Sequence, residues 1–150
     1  NPFVSLSMYL TKRIKGKELL TFIPAQILGC LLGVMLANVF FEHSIIELST
    51  KNRDGFHIFL SEIVATFGLI FIIFATLKDG KTTVAACVAT YISAGYWFTS
   101  STSFANPAVA IARTFTDSFT GINYLNTPTY IFAELLGAIV AIYIIKRLIK

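Results

Sequence analysis

Charge is scarce in this chain. Charged residues make up 13% of its 150 residues, eight acidic and twelve basic, against roughly 25% in an average soluble domain. With 55% hydrophobic residues and a mean hydropathy of +0.73, that shortage argues against a soluble globular protein and excludes a disordered chain. Cysteine is as thin. Cys30 and Cys87 both lie inside apolar runs, so they read as small buried side chains and not as a disulfide scaffold or a metal site. Four prolines and nine glycines exclude a collagen. A nucleophile–base pair, a metal-ligand cluster and a phosphate loop are all missing from the pattern, so neither catalysis, metal nor cofactor is expected. The sequence opens on Asn1 and not on Met, and no signal-peptide pattern follows it. It reads as a cut chain or a fragment.

Apolar runs are what the chain has in plenty. Four reach spanning length: Leu19–Phe41, Ile58–Leu77, Thr82–Phe98 and Tyr130–Ile145, the last extendable to Ile149. About 20 residues at ~1.5 Å each cross the roughly 30 Å hydrocarbon layer. Backbone polar groups in lipid must be satisfied within the segment, so all four are expected as helices. Two shorter pieces, Pro2–Leu10 and Pro107–Phe119, each follow an asparagine. Asparagine favours the N-cap and proline the first helical position, so each piece opens a helix too short to cross.

Basic residues fix an orientation. With the Lys12–Glu18 connection placed in the cytoplasm, the C-terminus is cytoplasmic too. Lys12, Arg13, Lys15, Lys17, Lys78, Lys81, Lys146, Arg147 and Lys150 then lie inside, and Lys51, Arg53 and Arg113 outside. This is the positive-inside pattern, and it accounts for the net charge of +4 without nucleic acid or another anionic partner.

The chain also repeats itself. Asn1-Pro2-Phe3-Val4 matches Asn106-Pro107-Ala108-Val109, and Ala25-Gln26-Ile27-Leu28-Gly29 matches Ala133-Glu134-Leu135-Leu136-Gly137. Gly29 and Gly33 form a small-residue pair answered by Gly137 and Ala141, spacing that lets helices approach closely. The charge argument runs the two copies in opposite directions across the membrane. Inverted repeats with short helices are a transport signature.

On these motifs, and on Glu62-Ile63-Val64-Ala65-Thr66-Phe67, the sequence resembles the major intrinsic protein family from Asn1 to its C-terminus. The resemblance implies an all-α membrane protein: an aquaporin-like inverted-repeat bundle with two half-helices, holding four of the family's six spanning helices. Residues 1–41 then end the first repeat and 57–150 form the second, within one partial channel domain lacking the first two helices. The family implies a homotetramer in the lipid bilayer, and the pattern suggests a bacterial inner membrane.

The resemblance also implies a mechanism. Two half-helices meet N-terminus to N-terminus, each bringing about half a positive charge, and aquaporin-type pores exclude protons and cations this way. Asn1, Pro2 and Phe3 with Asn106, Pro107 and Ala108 make the pore motifs, their side-chain amides left to donate to a passing oxygen. Phe3, where the family carries alanine, is expected to narrow or reshape the junction. Val109 stands where water-selective members carry arginine. With Ala94 or Ser93 and Phe104 it forms the expected outer constriction, near Tyr96 and Trp97. That wall is wide and apolar, suited to glycerol-like polyols, to arsenous acid or to water, and the Thr99–Ala105 stretch looks like an arsenic-associated bacterial subgroup. Arg113, at i+4 from Val109, either reaches the vestibule, supports the half-helix or pairs with Asp117. Glu62 and Glu134, ionisable within spans, are functional candidates. They are expected to accept hydrogen bonds from the backbone entering a half-helix, with Gln26 equivalent in the other copy. The competing readings are a water-selective channel, an ion-coupled inverted-repeat carrier, a haem-bearing membrane subunit and an inactive truncated remnant. His43 and His57 fall at a loop and a helix edge, poor places for haem ligands.

Overall fold

A computed structural model describes residues 1–148. Six α-helices follow in order: α1 (Pro2–Leu10), α2 (Gly16–Phe40), α3 (Phe56–Thr76), α4 (Lys81–Phe98), α5 (Pro107–Ala112) and α6 (Thr127–Leu148), with 3₁₀ turns at Leu77–Asp79 and Arg113–Phe115. Ile149, the end of the fourth predicted span, and Lys150, one of the basic residues counted as cytoplasmic, lie outside the described residues.

Local chemistry sets these ends. The Asn1 Oδ1 accepts from the Phe3 and Val4 backbone N–H groups, capping α1 ahead of Pro2. Glu18 accepts from the Lys15 N–H at 2.7 Å and closes the first turn of α2. Helix α2 runs on through Pro24 for 25 residues. Gly80, at φ +94°, turns the chain sharply between α3 and α4.

Among the described residues three helices are long and apolar enough to cross a membrane: Gly16–Phe40, Phe56–Asp79 and Thr127–Leu148. Helix α4, the third predicted span, has 18 residues and is less apolar. The predicted short helix Pro107–Phe119 is a correction. It stops at Ala112, because the next carbonyls are claimed from outside: Ser49 N–H donates to Thr114 O at 2.9 Å and Glu47 N–H to Phe115 O at 3.3 Å.

The core lies between α3 and α6. Ala65, Leu69, Ile70, Ile73 and Phe74 pack on Ala138, Ala141 and Ile145. Gly137 makes the approach possible: a Cβ there would collide with the Ile63 carbonyl oxygen and stand 3.0 Å from the Phe67 nitrogen. Gly137→Ala is therefore expected to cost about 1–3 kcal/mol, the usual range for overpacking, read as a lowered melting temperature in detergent. An unchanged melting point would show that α3 and α6 can part without cost. The matching pair on α2 is unfilled, since a Cβ on Gly29 or Gly33 would meet nothing within 4 Å.

One end of the bundle gathers the end of α1, Phe74 and the last turn of α6, where the Arg13 guanidinium lies 5.5 Å from the Phe74 ring centroid. The other end holds the α2–α3 loop, strapped to residues 113–117.

Candidate functional site

Two capped short helices meet head to head. The Asn106 Oδ1 accepts from the Ala108 N–H at 3.1 Å, mirroring Asn1 on α1. The Asn1 Nδ2 donates to the carbonyl of Ala105, the residue before Asn106, at 2.6 Å. That bond ties the N-terminus of α1 to the N-terminus of α5. It also spends one N–H of the Asn1 amide, leaving one for any other acceptor. Among the described residues the Asn106 amide donates no hydrogen bond. Pro2, Pro107 and Ala108 are buried. Phe3 is half-buried and packs against the core cluster between α3 and α6.

The backbone leading into α5 is held in an unusual shape. Thr102, Ser103 and Ala105 have φ of +65°, +51° and +45°. Left-handed backbone costs a non-glycine residue roughly 1–2 kcal/mol, so something must hold it. Two buried carboxyl groups do. Glu62 accepts from the Phe104 N–H at 2.9 Å and from the Ala105 N–H at 2.8 Å. Glu134 accepts from the Asn106 N–H at 2.9 Å, and its other oxygen has no partner. Three successive N–H groups thus face the carboxyls. Gly95 admits the loop, for a Cβ there would stand 2.6 Å from the Ser103 hydroxyl. Gln26 also holds its half-helix. Its Nε2 donates to the Ser5 hydroxyl at 2.8 Å and so grips the side of α1, a turn beyond Asn1.

At the C-terminal end of α5, Val109, Ala112 and Arg113 border a cavity of about 510 Å³ whose other walls include Cys30, Asn38 and Phe119. Arg113 does not pair with Asp117, the i+4 alternative, because α5 ends first. Asp117 instead accepts from the Thr50 N–H at 2.9 Å and from the Ser49 and Thr50 hydroxyls. The Thr50 backbone bond holds that carboxyl below the ordinary carboxylate range. The Arg113 guanidinium lies over the Phe104 ring, 4.7 Å from its centroid, and donates to the Thr120 carbonyl at 3.4 Å. On α4, the Ser93 hydroxyl is spent on the Ala89 carbonyl at 2.8 Å, and both Ser93 and Ala94 are exposed.

Two residues here escaped the sequence reading. Arg53 sits 5.7 Å from the Phe104 centroid. Asn38 is buried and donates to the Ile45 and Phe115 carbonyls, at 3.2 and 2.9 Å. An amide inside an apolar run was the available signal for Asn38; Arg53 stands in a loop without periodicity. Among the described residues, no three His, Cys, Asp or Glu side chains converge to hold a metal ion. The cysteines are unbonded and half-buried, and His43 pairs with Glu47 at 2.9 Å.

Aquaglyceroporin AqpS of Rhizobium meliloti (strain 1021) is 42% identical across all of this chain, which spans 64% of that protein. Aquaporin-4 of Bos taurus and of Homo sapiens are 27% and 26% identical over 94% of the chain, which spans 46% of each. No solved structure gives a significant match. The sequence profile of the family described as Major intrinsic protein matches residues 1–98. This all-helical chain, with spans that make it an integral membrane protein, belongs to the major intrinsic protein family.

Proposed function

We propose that the chain lines a passive channel for small neutral solutes, glycerol-like polyols and arsenous acid with water, and that ions and protons are excluded at the half-helix junction. The observation that carries this is the bond from the Asn1 amide to the Ala105 carbonyl, which joins two capped helix N-termini. Each N-terminus brings partial positive charge to one point. A cation there meets repulsion and has shed water; a neutral solute meets neither cost. Glu62 and Glu134 serve as positioning residues: by taking the N–H groups of Phe104, Ala105 and Asn106 they turn the neighbouring carbonyls away from themselves, toward the path. Val109 and Phe104, with Ser93 and Ala94 on α4, form the outer constriction, and Arg113 supports the end of the half-helix. The name of AqpS, an aquaglyceroporin, supports a polyol-sized path.

In this reading residues 1–41 close the first repeat and 57–150 make the second. The bilayer is the bacterial inner membrane, the C-terminus is cytoplasmic, and the assembly is a homotetramer. Stopped-flow light scattering on proteoliposomes tests the function with gradients of water, glycerol and arsenous acid. Glycerol and arsenous acid are expected to enter without saturation, driven only by their own gradients. Rapid water flow without either solute would overturn the solute assignment. Saturable, proton-coupled uptake would replace the channel by a carrier.

A further inference from the structure

Where the end of α1 meets the last turn of α6, the bundle leaves a cavity of about 290 Å³. Lys12 and Arg13 border it from the end of α1, Lys146 from α6. Phe74 and Ile145 line it too, and both are buried, while the three cations are exposed. The cavity therefore has an apolar floor and a cationic rim, and no acidic residue borders it.

The turn that ends α1 sets this rim. The Lys12 N–H donates to the Tyr9 carbonyl at 2.9 Å and the Arg13 N–H to the Met8 carbonyl at 2.8 Å. This pair of bonds closes a helix with a left-handed residue just past its cap, most often glycine. Here that residue is Lys12, at φ +59°. The same turn brings the Arg13 guanidinium to 5.5 Å from the Phe74 ring centroid. Nothing in the chain neutralises the rim. The acidic residues at this end are Glu18, which accepts from the Lys15 N–H, and Asp79 in the turn after α3. Among the described residues the only ion pair is His43–Glu47, which is elsewhere. Helix dipoles and membrane topology both draw basic residues to helix ends. Neither calls for three of them around one cavity with an apolar floor.

We propose that this cavity binds the headgroup of an anionic phospholipid: Lys12, Arg13 and Lys146 hold the phosphodiester oxygens, and Phe74 and Ile145 pack against the glycerol backbone and the first methylenes. Basic pockets between spanning helices suit such headgroups. Lys146 stands near the end of a span, the depth at which headgroups lie. A free phosphate carries the same charge but must shed water against Phe74 and Ile145, whereas a lipid covers that surface with carbon. The cavity lies at the opposite end of the bundle from the α2–α3 loop, and its occupant is independent of what the channel conducts.

The test titrates the intact protein in neutral detergent with dioleoylphosphatidylglycerol or dioleoylphosphatidylcholine, and counts bound lipid by native mass spectrometry. The anionic lipid is expected to bind at least about fivefold more tightly than the zwitterionic one. Arg13→Gln should weaken the anionic lipid about fivefold, and Lys146→Gln, on another helix, should do the same and serves if Arg13→Gln fails to fold. Lys17→Gln removes an equal charge from the same end but outside the cavity, and should leave binding within about twofold. Equal binding of the two lipids, or equal losses in Lys17→Gln and Arg13→Gln, would overturn the site in favour of diffuse surface charge. Displacement of the anionic lipid by millimolar inorganic phosphate would overturn the lipid assignment and leave a site for free phosphate.

Discussion

Replacing Glu62 by alanine is expected to dismantle the approach to α5 and abolish permeation. The carboxyl is fully buried and accepts from two successive backbone N–H groups, those of Phe104 and Ala105. Without it, both are left in a dry site with no acceptor, at about 1–3 kcal/mol each. The left-handed turn at Ala105 then loses what holds it. A total of about 2–6 kcal/mol is a large share of a typical folding stability. Melting in detergent should fall steeply for Glu62→Ala. Glu134→Ala should cost less, because Glu134 accepts from one N–H, that of Asn106, and its second oxygen has no partner. Its removal also takes away one of two buried acidic groups that share a site. Glu62→Gln keeps one acceptor and turns an NH₂ against the other N–H, so it should fall between the two alanine variants. The reverse order, with Glu134→Ala the most damaging, would mean that the Asn106 cap governs the loop and not the Phe104–Ala105 pair.

How much of this was legible in the sequence follows from which interactions are local. Helix α1 could be read from Asn1-Pro2 alone, because cap and proline act within one turn, and it spans the expected Pro2–Leu10. The three most apolar helices could be read from composition, which lipid makes nearly sufficient. Helix α5 could not be bounded, since its end is set by Ser49 and Glu47, some 65 residues away in the chain. The i+4 pairing of Arg113 with Asp117 failed for the same reason: the rule needs a helix, and none continues past the 3₁₀ turn at Arg113–Phe115. The left-handed φ angles at Thr102, Ser103 and Ala105 have no sequence signal, because none of the three is glycine. They follow from two carboxyls on α3 and α6, which no local pattern connects to that loop. The family resemblance suggested that such carboxyls grip a half-helix entry, while the residues by themselves said only that an acid inside a span is seldom idle. Gln26 matches Glu134 in place: its Nε2 donates to the Ser5 hydroxyl on α1, while Glu134 accepts from the Asn106 N–H at the head of α5.

Val109→Arg carries the second large effect, because in the proposed channel Val109 stands at the constriction and the change spares the fold. Val109 borders the cavity of about 510 Å³ and packs beside Phe104, so a longer side chain has open space ahead of it. The new guanidinium would enter a region where Arg113 and Arg53 already share one ring. Repulsion directs it away from them, into the cavity. There it narrows the passage and offers donors that water can satisfy in turn but a polyol must satisfy all at once. Glycerol and arsenous acid permeability is expected to fall at least about tenfold, which is a barrier increase of about 1.4 kcal/mol. Water permeability should change by no more than about threefold, since a single oxygen needs less width. Val109→Leu separates the two causes, because it adds bulk without donors or charge. If leucine suppresses glycerol as strongly as arginine does, width alone sets the selectivity. If neither variant alters solute flux while both assemble normally, Val109 does not stand at the constriction, and the filter must be sought elsewhere along the path.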